Sequence, residues 1–225
     1  MNIREISASD NVDSLLNSIP FYKAVKKQNE RQFNELMQFS RIVHYESGEK
    51  VISRGSTDTW TYFLVKGQLV VSVPDFNGRS YHVNYITPGE VFGDLSVLLK
   101  DSRTADVYVD DNCKEAIVFG TDFGLFGQLI NFNLISLETK LLYYRHTNHS
   151  LRWKLEMYRS KYRDHPMSNE HRKIMPYTGP KDNIEELHAL YHQTADLARL
   201  LVEWNKIFGN LSLAAGAVPE PGIAI

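Results

Sequence analysis

The residues best suited to chemistry lie between Phe92 and Ala105, where the sequence reads FGDLSVLLKDSRTA. Gly93 lets a ligand approach the backbone closely, and a short apolar helix is expected to begin near Leu95. The first amides of such a helix have no intrahelical partners and lie at the positive end of the helix dipole. Because free amides of this kind attract anions, the segment predicts an anion-binding pocket.

Two charged side chains refine this prediction. Arg103 follows Asp94 by nine residues and can present a guanidinium fork to the same anion. Asp94, at the helix start, would repel a phosphate, so its expected partner is a neighbouring hydroxyl. Phosphate and hydroxyl in one compact pocket indicate a nucleotide whose phosphate is folded against its ribose. The alternative is a strand-helix-strand connection in which Arg103 pairs with Asp94 or Asp101 in an empty pocket.

The cassette resembles the phosphate-binding cassette of cyclic nucleotide-binding domains, and the resemblance extends from about Ile19 to Tyr162. Its further segments, in the family's order, are IPFYKAV, SGEKVISRGS, YFLVKGQLVVSV, ITPGEVFGD and TDFGLF. The resemblance implies cAMP or cGMP as regulatory ligand, with Asp94 on the ribose 2′-hydroxyl, Arg103 on the cyclic phosphate and Thr104 near the base. It also implies contacts around Phe92, Gly93, Leu95, Ser96 and Ala105.

One residue departs from the family pattern. The family's usual acid is glutamate, whereas this chain has Asp94. An acid shorter by one methylene would reach the ribose after a shift of the helix or through a water molecule. A degenerate pocket that binds nothing and serves as a scaffold is therefore an alternative interpretation.

Bulk properties bound the class of protein. The chain has 225 residues, 43% hydrophobic and 23% charged, which is ordinary for a soluble globular protein. A net charge of -2 argues against a dedicated nucleic-acid binder. Cys113 is the single cysteine, which favours a reducing compartment and predicts a cytoplasmic protein. No apolar run is long enough to cross a bilayer, and no catalytic or metal-binding constellation is visible, so we expect no enzyme activity.

The pattern of elements predicts an α+β protein. Residues 8–40 have a helical pattern, and short strands punctuated by glycine follow from residue 41 to residue 119, with a hairpin turn at Asn77-Gly78. About eight strands at this spacing indicate a jelly-roll-like β-barrel that closes over the cassette helix. The predicted first domain, the barrel with its N-terminal helices, spans residues 1–124.

Residues 125–164 predict a long helix with a heptad seam. Its apolar positions recur at steps of three and four, at Leu134, Leu137, Leu141, Tyr144, Leu151, Leu155, Tyr158 and Tyr162, with Asn148 at an a position. This pattern is typical of a parallel two-stranded coiled coil and predicts a homodimer through residues 132–162. The alternative is that the stripe packs on its own barrel, which is too small to cover a helix of about 45 Å. By the resemblance, Thr147 and Asn148 would cap the base of the nucleotide.

Residues 165–225 predict a linker, an amphipathic helix and a tail of small residues. Asp182-Asn183 caps the helix, which is expected to stop at Gly209. We expect this helix to bind a protein partner that the sequence does not identify. The alternative function is a DNA-binding regulator of the catabolite activator type, but no helix-turn-helix or basic recognition helix is visible, so DNA binding is not expected.

Overall fold

A computed structural model gives the structure of the chain and describes residues 2–5, 16, 19–74 and 80–215. The predictions for residues 8–15, for the Asn77-Gly78 turn and for residues 216–225 lie outside this set. The strands are β1 (Asn2–Glu5), β2 (Ser40–Glu46), β3 (Lys50–Ile52), β4 (Trp60–Lys66), β5 (Leu69–Pro74), β6 (Ser80–Ile86), β7 (Val91–Phe92), β8 (Asp106–Val109) and β9 (Glu115–Asp122). The α-helices are α1 (Pro20–Gln28), α2 (Glu30–Gln38), α3 (Asp94–Leu99), α4 (Leu137–Lys161), α5 (Glu170–Lys173) and α6 (Ile184–Ala215).

The chain divides into two compact units. The first comprises residues 1–12, 39–123 and 205–225, and the second comprises residues 13–38 and 124–204. Among the described residues, the first unit therefore holds the strands and α3, while the second holds α1, α2, α4, α5 and most of α6. None of the described helices combines the length and apolarity that a membrane crossing requires.

Two antiparallel sheets form the first unit. Their strand orders are β1-β2-β9-β4-β7 and β3-β8-β5-β6. Residues two apart on one strand share a face, and such pairs from both sheets meet in one apolar core. Those pairs are Val43 and Tyr45, Tyr62 and Leu64, Leu69 and Val71, Val107 and Val109, and Ala116 and Val118. The predicted α+β class is confirmed, but the sheets are not closed into the barrel that we expected.

In the second unit, α4 and α6 form a parallel pair. Leu141 near the start of α4 shares an apolar cluster with Leu187 and Leu190 near the start of α6. Farther along both helices, the ring of Tyr158 stacks on that of Trp204, with centroids 5.3 Å apart and planes 3° apart. Both helices thus advance in the same direction, and the chain returns between them through residues 162–183.

Polar contacts fix the register of this pair. The Asn148 amide nitrogen, Nδ2, donates to the Leu190 carbonyl oxygen at 2.9 Å and to Thr194 Oγ1 at 2.5 Å. Arg145 makes a two-point contact with buried Glu186, from Nε to Oε1 at 2.8 Å and from Nη2 to Oε2 at 2.6 Å. A polar residue at an a position commonly specifies register, as predicted for Asn148, but its partner here is within the same chain.

The heptad seam therefore has an intrachain partner. Leu141, Leu151, Leu155 and Tyr158 are each at most 3% exposed in the single chain. Helix α6, whose 32 residues exceed the 25 residues of α4, supplies this partner, whereas the homodimer prediction considered only the barrel. These four seam positions are thus already covered. Leu134, by contrast, lies before α4 begins and is 38% exposed.

The end of α6 also differs from the sequence-based expectation. Helix α6 continues past Gly209 to Ala215, because a glycine costs a helix about 1 kcal/mol without forbidding it and good helix formers follow.

Lys140 of α4 is 1% exposed, and its Nζ lies within hydrogen-bonding distance, 2.6–3.1 Å, of four carbonyl oxygens, those of Phe126, Gln128, Leu129 and Asn131. Burial lowers the pKa of Lys140 to about 8. The amine of Lys140 thus ties residues 126–131 to the start of α4.

Candidate functional site

A cavity of about 40 Å³ lies in the first unit, where α3 and the segment after it meet the core. Seven of the ten residues that line it belong to the predicted site. The lining residues are Ile52, Val71, Phe92, Gly93, Leu95, Ser96, Arg103, Thr104, Ala105 and Val107. The cassette thus folds around one cavity, with apolar walls contributed by β3, β5 and β8.

Gly93 connects β7 to α3 in a conformation that suits glycine. Its φ is +74°, in the left-handed region. A Cβ at this position would lie 2.7 Å from Arg103 Nη1 and 3.2 Å from side-chain atoms of Ile52 and Tyr62. The absence of a side chain therefore permits both the backbone turn and the close approach of the Arg103 guanidinium.

Arg103 is the central charged group of the site and is 3% exposed. Its Nη1 donates to the Gly93 carbonyl oxygen. Its Nη2 donates to Asp58 Oδ1 and, at 2.5 Å, to the Trp60 carbonyl oxygen, while Nε lies 3.4 Å from Asp58 Oδ2. The guanidinium is thus paired with an acid, but that acid is Asp58 rather than Asp94 or Asp101.

The backbone holds the loop that carries Asp58 against Arg103. The Gly55 amide donates to the Arg103 carbonyl oxygen, and the Arg103 amide donates to the Ser56 carbonyl oxygen, both at 2.8 Å. The Arg54 amide donates to Asp106 Oδ1 at 3.0 Å. These hydrogen bonds attach the loop, residues 53–59, to the segment that contains Arg103 and Asp106. The attachment places Asp58 beside the guanidinium.

The two acids near the site have different environments. Burial raises the pKa of Asp58, but the hydrogen bond and the charge of Arg103 outweigh burial and leave that pKa below its ordinary value. Asp94 is 6% exposed, and its Oδ1 finds no hydrogen-bond donor among the described residues. Asp94 does not line the cavity, although its neighbours Gly93 and Leu95 do. A buried carboxylate oxygen without a donor is costly and suits a hydroxyl supplied by a ligand.

The aromatic rings of Trp60, Tyr62 and Phe92 stack in a row beside Arg103. Tyr62 stacks on Phe92 with ring centroids 5.4 Å apart, and Trp60 stacks on Tyr62 at 6.4 Å. The guanidinium carbon of Arg103 lies 5.8 Å from the centroid of Tyr62. Gly120 leaves space for these rings, because a Cβ there would lie 3.0–3.2 Å from Tyr62 and Trp60.

The two remaining predicted site residues, Thr147 and Asn148, belong to α4 in the second unit, and both are buried. Both hydrogens of the Asn148 amide are engaged, with acceptors on Tyr144, Leu190 and Thr194. This geometry does not support Asn148 as a donor to a purine base, because its amide already fixes α4 to α6.

Sequence reasoning missed Asp58, Trp60 and Tyr62 at this site. Trp60 and Tyr62 alternate along a strand pattern, which indicates a shared face but not which ligand pocket they support. Asp58 lies in a polar loop, 45 residues before Arg103. No periodicity connects two residues at that separation, so their pairing becomes visible in the folded chain.

Comparison with solved structures gives several partial matches. The regulatory subunit of a cAMP-independent protein kinase A from Trypanosoma brucei is 23% identical over 50% of this chain and 39% of that chain, with a TM-score of 0.42. The regulatory domain of Toxoplasma gondii protein kinase A with cAMP is 17% identical over 60% of this chain and 48% of that chain, with a TM-score of 0.44. The N-terminal domain of a transcriptional regulator from Streptomyces coelicolor is 20% identical over 48% of this chain and 71% of that chain, with a TM-score of 0.38.

These alignments cover less than half the length of either kinase protein. No curated protein matches the chain significantly. The family model of the cyclic nucleotide-binding domain matches residues 42–124, which run from β2 through the cassette to just past the end of β9. This segment of the chain thus matches the family of cyclic nucleotide-binding domains.

Proposed function

We propose that this chain is a regulatory protein that binds a cyclic mononucleotide, cAMP or cGMP, in the cavity of its cassette. The observation that carries this proposal is the buried guanidinium of Arg103, which lines a cavity shared with the backbone of Gly93. A cyclic phosphate is a small anion that an arginine fork binds well. The match of residues 42–124 to the domain family supports the same ligand class.

Each group of the cassette has a role in this proposal. Arg103 binds the phosphate, and Asp94 accepts a hydrogen bond from the ribose 2′-hydroxyl. The unpaired Oδ1 of Asp94 supports this second role, because it is a buried acceptor that lacks a donor among the described residues. Thr104 is exposed at the cavity and can reach a base edge with its hydroxyl. Phe92, Leu95, Ser96 and Ala105 shape the wall.

A water molecule requires about 10–15 Å³, so the cavity of about 40 Å³ admits a few waters. The guanidinium of Arg103 already donates to Asp58, Gly93 and Trp60. We therefore expect ligand binding to move side chains around Arg103. Such a rearrangement would give the ligand differential affinity for two states of the domain, which regulation requires.

The route of the signal, the protein partner and the cellular compartment are also proposals. We infer that the second unit transmits the signal, that α6 binds a protein partner, and that the protein works in the cytoplasm. The homodimer predicted through residues 132–162 stays a prediction, and the intrachain cover on the seam weakens its basis. Light scattering of the intact chain tests it, and a monomeric mass would refute it.

Isothermal titration with cAMP and cGMP tests the binding proposal. We expect saturable binding to the wild type and no measurable binding to Arg103→Ala, because the variant loses the charged fork. Arg199→Ala is the matched control, since it removes an exposed arginine of α6 outside the cassette and should bind as the wild type does. Circular dichroism should show that Arg103→Ala remains folded, and Arg103→Lys, which keeps the charge, should bind weakly. Near-wild-type affinity in folded Arg103→Ala would refute the site.

A further inference from the structure

The Asp58 carboxylate is paired with the Arg103 guanidinium, which is the group that would bind the ligand phosphate. We propose that Asp58 is an internal anion that holds Arg103 until a ligand arrives, so that the phosphate binds by displacing the Asp58 carboxylate. The inference rests on the proposed function of the cassette and adds a device that regulates its affinity. It assigns Asp58 as a positioning residue, because it acts on the ligand through Arg103.

The hydrogen-bond inventory of Arg103 supports this role. A guanidinium has five N–H donors. In the described part of the chain, Arg103 uses Nε and both hydrogens of Nη2, with Asp58 and the Trp60 carbonyl oxygen as acceptors, and one hydrogen of Nη1 on the Gly93 carbonyl oxygen. One Nη1 hydrogen is left, which is too few for the two-point contact that phosphates favour. A forked contact therefore requires one of the present acceptors to leave.

Asp58 is the acceptor that can leave. The carbonyl groups of Gly93 and Trp60 belong to backbone at the ends of β7 and β4, whereas Asp58 is a side chain on a loop. Its side chain is 37% exposed, compared with 3% for Arg103, so rotation toward solvent does not require it to cross the core. Asp58 is the anion in contact with the guanidinium, and a phosphate is the kind of group that can replace it.

The loop itself need not move during this exchange. Backbone hydrogen bonds from Gly55 to Arg103 and from Arg103 to Ser56 attach the loop independently of the carboxylate. Asp58 Oδ1 also accepts from the Trp60 amide at 3.0 Å, a bond that an asparagine oxygen can still accept. Asp58→Asn therefore removes the competing charge and keeps the local turn.

The test compares wild type, Asp58→Asn and Asp101→Asn by isothermal titration with cAMP and cGMP. Asp101 is an exposed acid of the cassette that neither lines the cavity nor contacts Arg103, and its Oδ1 accepts from the Ser102 amide, so Asp101→Asn controls for net charge. We expect Asp58→Asn to bind at least about tenfold more tightly, equivalent to ~1.4 kcal/mol, and Asp101→Asn to change affinity less than threefold. The double variant Asp58→Asn with Arg103→Ala should lose the gain.

The outcomes separate this inference from the proposed function. Binding by wild type that depends on Arg103 but does not tighten in Asp58→Asn overturns the inference and leaves the proposed function standing. Binding by Asp58→Asn without measurable binding by wild type supports the inference and counts against sensing by the native chain. Equal gains in Asp58→Asn and Asp101→Asn would indicate a general charge effect and overturn the inference. Absence of binding in all variants overturns both.

Discussion

Replacement of Gly93 by alanine should damage both the stability and the affinity of the domain. The residue has φ +74°, and a left-handed conformation costs a residue other than glycine about 1–2 kcal/mol. The new Cβ would also lie 2.7 Å from Arg103 Nη1, a separation that requires the guanidinium to move. A strained rotamer costs about 0.5–1.5 kcal/mol, and one weakened hydrogen bond to the Gly93 carbonyl oxygen adds ~1 kcal/mol. The total loss of unfolding free energy is therefore about 2.5–4.5 kcal/mol.

Gly89→Ala is the matched control for this change. Gly89 has φ +92°, and no atom lies within 4 Å of a Cβ built there, so its alanine variant incurs the backbone cost without the contact. Urea titration should show a loss for Gly93→Ala that exceeds the loss for Gly89→Ala by about 1.5–2.5 kcal/mol, the sum of the rotamer and hydrogen-bond costs.

Affinity gives the second readout of the same change. Because the guanidinium must shift, Gly93→Ala should weaken cAMP or cGMP binding by at least about tenfold at temperatures where it is folded, whereas Gly89→Ala should bind as the wild type does. Equal stability losses in the two variants, together with unchanged affinity in Gly93→Ala, would show that Arg103 does not need the space beside Gly93. The close approach would then have no functional role.

Two further predictions concern the second unit. Thr194→Val removes the hydroxyl oxygen that accepts from Asn148, and it should lower the unfolding free energy measured by urea titration by about 1–3 kcal/mol. Thr178→Val, at an exposed position, should cost less than about 0.5 kcal/mol, and equal losses would contradict the register role of Asn148. The hydrogen bond from His171, followed by neighbouring arginines, holds the pKa of Glu156 at about 2 against its ordinary 4.5, so its stabilising effect is complete above pH 4.5 and is lost as the pH falls through about 2. Wild type should therefore lose its stability advantage over Glu156→Gln across that range, and a constant difference would refute the assignment.

The cassette could be predicted from the sequence because its chemistry is local. Residues 92–105 form one continuous segment, and the fold brings Gly93, Ser96 and Arg103 to one cavity whose other walls come from β3, β5 and β8. The strands could also be predicted, because β-branched and aromatic residues alternate over short runs. Whether the two sheets close depends on which edge strands pair, and alternation carries no information about that pairing.

The partners of the predicted elements could not be read in the same way. The apolar stripe of α4 indicates that it needs a partner, but a stripe fits α6 of the same chain or a second copy equally well. Asp58 is similar, because an acid in a polar loop looks solvated until the backbone contacts of Gly55 and Ser56 place it beside Arg103. In both cases the missing information was long-range, and neither periodicity nor spacing contains it.

The parallel pairing of α4 and α6 has a consequence for any shortened version of the protein. A polypeptide that ends at Tyr162 would lack the residues of α6 that contact Leu141 and Tyr158 and would expose these apolar side chains to water. Such a fragment would gain by associating with another fragment along the same stripe. Self-association of the fragment would then reflect the loss of α6 rather than the quaternary structure of the 225-residue chain.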